Sequence, residues 1–241
     1  MSELIESLKK CRVEGNTLYL PADHLSNYAE VRKALMNAGA SYKRNTFIFK
    51  SDAQPFVDRL TGGESVNIRK EFQFFPTPPD ISDWLIELAD INASHKILEP
   101  SAGDGSLIKA VDRKLAVRKR ISCFELMPEN RNILSKLGGV EILGDDFLKH
   151  KPTASFDRIL ANPPFNKNQD ISHIRHMYEC LKKGGRIVSI ASKHWEISSG
   201  KKETEFKEWL ESMDYISHDI EKGRFKESGT LISCCIVVID K

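Results

Sequence analysis

Four consecutive residues, Asn162-Pro163-Pro164-Phe165, are suited to chemistry on an amine. An aromatic amine is a poor nucleophile because its lone pair is delocalised into the ring. Two acceptors that take its N–H groups hold the nitrogen closer to tetrahedral and leave the lone pair free to attack. The Asn162 side-chain oxygen and the Pro163 carbonyl are such a pair. The prolines stiffen the loop and bring no N–H of their own to compete, and Phe165 offers a stacking surface to a flat ring drawn out of its stack. A four-residue match has a real chance rate, so the surrounding segments decide its weight.

Upstream, residues 96–107 run from a short apolar strand into Glu99-Pro100-Ser101-Ala102-Gly103-Asp104-Gly105 and then a helix. Glycines at 103 and 105 let the backbone pass close to a ligand where a Cβ would collide. The dinucleotide pattern G-x-G-x-x-G competes for this loop, but Ile108 stands where its third glycine belongs. Glu99 and Asp104 suit an ammonium group better than a pyrophosphate. Roughly twenty residues beyond the loop, Glu125 ends the next strand, where a carboxylate can accept from both hydroxyls of a ribose. The strand after that runs into Asp146-Phe147, a carboxylate for an amino group and an aromatic face for a flat ring.

These segments must be positioned by a sheet. Strands are expected at 96–99, 121–125, 140–143, 156–161, 186–191, 215–220 and 231–239, with helices in the first five intervals, the signature of a parallel sheet covered on both faces. The last interval is too short for a helical crossover, so the final strand should return antiparallel. Residues 1–65 read as a separate small α+β unit: a helix, a strand at 17–20, a central helix, a strand at 46–49 and another short helix. In the central helix Leu25, Tyr28, Val31, Leu35 and Ala38 mark a buried face. Gly62-Gly63 suggests a linker before the larger unit, 72–241, and no internal repeat is apparent.

The 241 residues, 40% hydrophobic, are enough for a catalytic-sized domain with a sizeable core plus a small one, which excludes a disordered chain. A net charge of +2 says little about partners. Five cysteines without C-x-x-C spacing argue against a disulfide framework or zinc site and fit a reducing cytoplasm. No apolar run is long enough to span a bilayer, so a soluble protein is expected. His173 and His176 lie three apart on an expected helix with no third ligand in view, and no metal is expected.

Residues 72–241 resemble the gamma-class amino-methyltransferases of restriction–modification systems and their phage and plasmid relatives. The resemblance rests on the glycine loop, Glu125, Asp146-Phe147 and Asn162-Pro163-Pro164-Phe165 in that order, and on F-P-T-P at 75–78. It implies a Rossmann-like α/β fold with S-adenosylmethionine (SAM) as cofactor. It further implies methylation of an exocyclic base amine, adenine N6 in DNA first. Phe75, Thr77 and Pro78 would make the first cofactor contact, with Thr77 at its carboxylate. Asp146 and Phe147 would hold the cofactor adenine, Leu126 would follow Glu125 along the pocket, and Asn162 and Phe165 would hold the target adenine. The segment 225–230 is similar to mobile-element members. The restriction enzymes carry a large C-terminal target-recognition domain. Here the chain ends once the sheet is complete, which implies low or short sequence specificity.

Ribosomal-RNA guanine-N2 methyltransferases also use N-P-P-F and are the nearest alternative, with an rRNA adenine-N6 enzyme beside them. Protein-glutamine enzymes usually have Tyr at the fourth position and cytosine-N4 enzymes Ser at the first, and an inactive SAM-binding scaffold sits poorly with an intact motif. For docking of nucleic acid, loops after the fourth, fifth and sixth strands should share one rim. They carry Lys167, Lys193, Trp195, Lys201, Arg224 and Lys226, cations for phosphates and a ring to stack on or wedge beside a base. Lys43-Arg44-Asn45 in the small unit is a second basic turn. Residues 1–70 hold 11 Lys and Arg against 8 Asp and Glu, which leans towards an accessory nucleic-acid module.

Overall fold

The computed structural model describes residues 2–68, 75–116, 120–225 and 232–241, and the chain divides into two units, Met1–Phe74 and Phe75–Lys241. The first contains α1 (Glu3–Lys9), β1 (Arg12–Glu14), β2 (Thr17–Tyr19), α2 (Tyr28–Asn37), β3 (Ser41–Lys43), β4 (Thr46–Ile48) and α3 (Gln54–Thr61). Its four strands form one antiparallel sheet in the order β1-β2-β4-β3. Val31, Leu35 and Ala38 are fully buried, as the helical spacing predicts, while Leu25 and Tyr28 are only partly so.

Two strands more than expected are present. β1 and β3 are three residues each and largely exposed, so no hydrophobic alternation marks them. Their presence exposes an internal repeat that inspection of the sequence overlooks. Residues 14–20 (E-G-N-T-L-Y-L) and 43–49 (K-R-N-T-F-I-F) are equivalent, each closing a helix–strand–strand unit. The pairing of β2 with β4 is symmetric about Leu18↔Phe47, both wholly buried, so a local two-fold axis passes between the two copies. The Asn-Thr pairs at 16–17 and 45–46 are the trace in the sequence.

The second unit is a seven-stranded sheet in the order β10-β11-β9-β8-β5-β6-β7. Its strands are β5 (Ile97–Glu99), β6 (Ile121–Phe124), β7 (Glu141–Gly144), β8 (Phe156–Ala161), β9 (Leu181–Ser192), β10 (Asp214–Asp219) and β11 (Cys234–Asp240). Pairings from β7 through β9 are parallel, and β11 lies antiparallel between β9 and β10. Cys234 to Ile239 are all buried, which suits an interior strand covered on both faces; β10, at the edge, has no buried residue. Leu231, expected to open the last strand, lies outside the described residues.

Helices α4 (Pro79–Ala89), α5 (Ser106–Leu115), α6 (Pro128–Leu137), α7 (Gln169–Cys180), α8 (His194–Ile197) and α9 (Lys201–Glu211) cover the sheet. Side chains sort by period two into two cores. Ile97, Val188, Ile190, Ile236 and Val238 pack with α4 and α5, while Leu98, Ile187, Ala191, Val237 and Ile239 pack with α7 and α9. The interval between β7 and β8 holds only a 3-10 turn, Phe147–Lys149, where a helix was expected. β9 starts five residues before the expected strand, because Leu181 pairs with Phe156.

Candidate active site

The chain leaves β5 for β6 and β7 on one side and returns to β8 on the other, so the strand order reverses between β5 and β8. Ligands of open α/β sheets bind outside the carboxyl ends of the strands at such a point. That geometry sets the glycine loop after β5 beside Asn162 after β8.

The glycine loop is held from two sides. Ala102 N–H donates to the Phe124 carbonyl at 2.9 Å, and Gly103 N–H to Glu125 Oε2 at 2.6 Å. Gly103 and Gly105 take φ of +55° and +78°, the left-handed region in which a side chain is strained. At Gly105 a Cβ would also meet Leu134 and Leu137 of α6 at 3.0 Å. Glu125 is 7% exposed and does more than face a ligand: its Oε1 accepts from Met127 N–H at 2.7 Å and from Asn130 Nδ2 at 3.3 Å. It therefore ties the loop to the start of α6. Asn130 is a residue that sequence reasoning missed. Burial pushes the Glu125 carboxyl up, and the amides of Met127 and Gly103 oppose this.

Beneath the loop, Glu99 is 4% exposed. Burial holds its carboxyl well above the usual carboxylate range, and the neighbouring negative charges of Glu125 and Asp104 push the same way. The Ile108 amide donates to it, yet Glu99 Oε2 and Ser101 Oγ are buried without a hydrogen-bond partner among the described residues. Pro100 and Ala102 are buried around them, and Asp104 accepts from the Ser106 hydroxyl at 2.6 Å.

Across the switch point, the Asn162 side-chain nitrogen donates to the Phe75 carbonyl at 3.0 Å and to Thr77 Oγ1 at 3.1 Å. A carbonyl only accepts, so the amide orientation is fixed with NH2 towards residues 75–77 and the oxygen turned away from them. Thr77, 8% exposed, accepts this bond and keeps its own proton for another acceptor. Pro78 caps α4, its carbonyl taking the Ser82 amide at 2.8 Å. Pro163 is buried, Pro164 partly so, and Phe165 packs partly buried against the core that contains α4 and α5.

Asp146 Oδ1 accepts from Leu148 N–H at 3.1 Å and its Oδ2 faces Lys149 at 3.2 Å. Phe147 is enclosed by Phe124, His173 and His176, with ring centroids at 5.4, 5.8 and 4.7 Å. At 2% exposure it offers no open stacking face, whereas Leu126 is 52% exposed and offers apolar surface. His173 and His176 each bond a backbone carbonyl, those of Gln169 and His150.

The basic rim differs from expectation. Trp195 is 4% exposed, set edge-on against Phe206 at 5.5 Å, so it cannot stack on a base. Lys193 is paired with Asp219 at 2.7 Å and Glu196 at 3.4 Å, Lys201 faces Glu205 at 3.8 Å, and Arg224 is paired with Asp80. Lys167 is exposed with a φ of +54°, and Lys226, with the rest of 226–230, lies outside the described residues. Two ties that sequence reasoning missed shape this rim: Asp170 Oδ2 takes both the amide and the hydroxyl of Ser192, and Asn168 Nδ2 donates to Glu203 at 2.8 Å.

Strand order, glycine loop and the Asn162 turn together define the Rossmann-like fold of class I SAM-dependent methyltransferases. The sequence profile of the methyltransferase small domain matches residues 82–217, and the chain belongs to that family. It is 30% identical over 135 residues to the type II methyltransferase M.CvrRI of Paramecium bursaria Chlorella virus XZ-6E, covering 55% of this chain and 34% of that protein. The chain thus spans about a third of the length of that curated relative. Among solved structures, it is similar to a type I restriction–modification methyltransferase subunit from Streptococcus thermophilus. There the TM-score is 0.57 and the identity 17%, over 70% of this chain and 44% of that one. It is also similar to a dimethyladenosine transferase from Plasmodium falciparum, with a TM-score of 0.54 and 16% identity over 69% and 63% of the two chains.

SAM is the methyl donor of that class. The residues present fit it: the unpartnered Glu99 Oε2 suits its ammonium, and the unpartnered Ser101 Oγ and the Thr77 proton suit its carboxylate and hydroxyl oxygens. Among the described residues no helix is long and apolar enough to cross a membrane.

Proposed function

We propose that this chain methylates the exocyclic amine of a nucleic-acid base, adenine N6 in DNA, in the manner of the gamma-class enzymes. One observation carries the proposal: the Asn162 amide nitrogen is locked by Phe75 and Thr77, which commits its oxygen to accepting. With the Pro163 carbonyl as second acceptor, the two N–H groups of a base amine are held and its lone pair is released from conjugation. Phe165 supplies the surface against which the extruded base stacks. SAM, when bound, supplies an electrophilic methyl on a cationic leaving group. No general base is required of the protein, since the amine can lose its proton after transfer.

The cofactor would be held by Phe75, Thr77 and Pro78, by Glu99 to Gly105, by Glu125 and Leu126, and by Asp146 with Phe147 behind. The type II methyltransferase relative supports a DNA substrate. An RNA base amine is the second reading, favoured by the likeness to the dimethyladenosine transferase. The deciding experiment incubates the protein with labelled SAM and separate duplex DNA, ribosomal RNA and protein, then identifies the product by mass spectrometry. N6-methyl-2′-deoxyadenosine, from the DNA arm, is expected. Label in protein alone would overturn the reading.

A further inference from the structure

The two copies of the repeat in the first unit differ at their hairpin tips. In the first copy the turn is Glu14-Gly15-Asn16, with Gly15 at φ +55°, and the strand leading to it is self-neutralised by an Arg12–Glu14 ion pair. In the second the equivalent turn is Lys43-Arg44-Asn45, with Arg44 at φ +48° and Asn45 at +61°. A two-residue hairpin with positive φ at both positions favours glycine or asparagine. Asparagine suits the second position, but an arginine at the first is strained where a glycine would not be, and at the corresponding place of the first copy, in a turn with positive φ at that position alone, the residue is glycine. Strain held at an exposed tip points to a use for the side chain.

Residues 41–45 are all exposed, and no ion pair reaches Lys43 or Arg44 from the described residues. The Tyr42 hydroxyl donates to Asn45 Oδ1 at 2.8 Å, its ring packs on Phe47, and the Arg32 guanidinium of α2 lies over it at 5.6 Å. Three cations, Arg32, Lys43 and Arg44, are thereby presented on one rigid hairpin and its neighbouring helix, two at the tip and one oriented by an aromatic face. Protection of β3 as an edge strand would account for charge there, but the other edge, β1, is protected by a neutral pair. The positive sign is left over.

We infer that the β3–β4 hairpin tip with Arg32 is a docking site for the sugar–phosphate backbone of nucleic acid, separate from the catalytic crevice. It rests on the nucleic-acid reading above. Lys43 and Arg44 contact phosphates, and binding there is independent of sequence and steep in salt.

The test uses the full chain and fluorescence anisotropy with a labelled duplex and its single strand across a salt series. Arg44→Gly should leave the melting temperature unchanged or raise it while weakening binding, a combination that a structural arginine cannot give. Lys43→Gln with Arg44→Gly should lower affinity about tenfold at low salt and flatten the slope of log K against log salt by about two. SAM affinity should be unchanged. If the wild type binds and methylates nucleic acid while the double variant matches it in affinity and slope, the hairpin inference fails and the function stands. A wild type that binds neither duplex nor single strand overturns both. Arg44→Gly that lowers the melting temperature without touching affinity also overturns the hairpin site.

Discussion

At the crevice, Glu99 and Ser101 keep buried polar atoms without partners among the described residues, whereas on the rim Lys193, Lys201 and Arg224 each already face a carboxylate. A buried polar atom left unpaired costs about 1–3 kcal/mol, and a ligand that answers it recovers that cost. An exposed ion pair is worth roughly 0–1 kcal/mol and presents little net charge to a partner. The contrast is one of cations and not of every polar atom: Asp170 Oδ1 and Trp195 Nε1, buried behind the rim, are unpartnered as well, but three of the rim's cations are already answered. Sequence position alone makes crevice and rim look equally functional.

The largest effect that can break this contrast is at Asn162. In the proposed mechanism its oxygen acts on the amine in the transition state, so Asn162→Ala should lower the methyl-transfer rate by about a hundredfold or more. Donor affinity by calorimetry should fall much less, by no more than about tenfold, a loss set by the freed Phe75 carbonyl and Thr77 hydroxyl and not by the transition state. Near wild-type turnover would remove the amine-holding mechanism.

Next comes Glu125, whose two oxygens take the Gly103 and Met127 amides. In Glu125→Gln one backbone N–H meets an NH2 group, so one buried donor loses its acceptor. Donor affinity should fall about tenfold, the equivalent of one such loss, and the melting temperature should drop with it. If affinity falls and the melting temperature does not, Glu125 acts on the ligand and not on the loop.

A smaller effect should follow pH. Burial, then Glu125 and Asp104, hold the Glu99 carboxyl above its unfolded value. A group raised in this way stabilises the fold below its unfolded pKa, and that contribution is lost as pH rises through the folded one. An arriving ammonium favours the ionised form. Donor binding should therefore release a proton at pH values below the raised pKa, and affinity should climb with pH across that window. Calorimetry in two buffers of different ionisation heat reads the proton count. A count of zero, or one unchanged in Glu99→Gln, separates the ammonium from Glu99.

How much of this was legible in the sequence follows from the range of the interactions involved. The glycine loop and residues 162–165 carry their chemistry within a few consecutive positions, so spacing reveals them. The lock on Asn162 spans 85 residues to Thr77 and 87 to Phe75. Resemblance named both partners, but only as cofactor contacts. Trp195, flanked by Lys193 and His194, reads as exposed until Phe206 of α9 closes over it. Glu196, three residues from Lys193, was within reach of the sequence, but the shorter pair of Lys193 and the pair of Arg224 are made with Asp219 and Asp80, 26 and 144 residues away. The repeat of the first unit was within reach, yet its short exposed strands give no alternation to draw attention to it.

The smallest expected effect tests the rim itself. Removing Lys193 alone would change net charge by one and lower affinity for any polyanion, whether or not the lysine touches it. The informative variant removes charge in pairs. Lys193→Gln with Asp219→Asn deletes both ends of a 2.7 Å pair and leaves net charge unchanged. If the pair persists in the complex, affinity for DNA should move by less than about twofold, since an exposed pair contributes so little. The salt slope should not move at all. If instead Lys193 leaves Asp219 for a phosphate on binding, the double variant loses one phosphate contact, and the slope of log K against log salt should flatten by about one. That outcome would return the rim to the docking surface, with its carboxylates acting as placeholders for phosphate, and would end the contrast between open polar atoms in the crevice and answered cations on the rim.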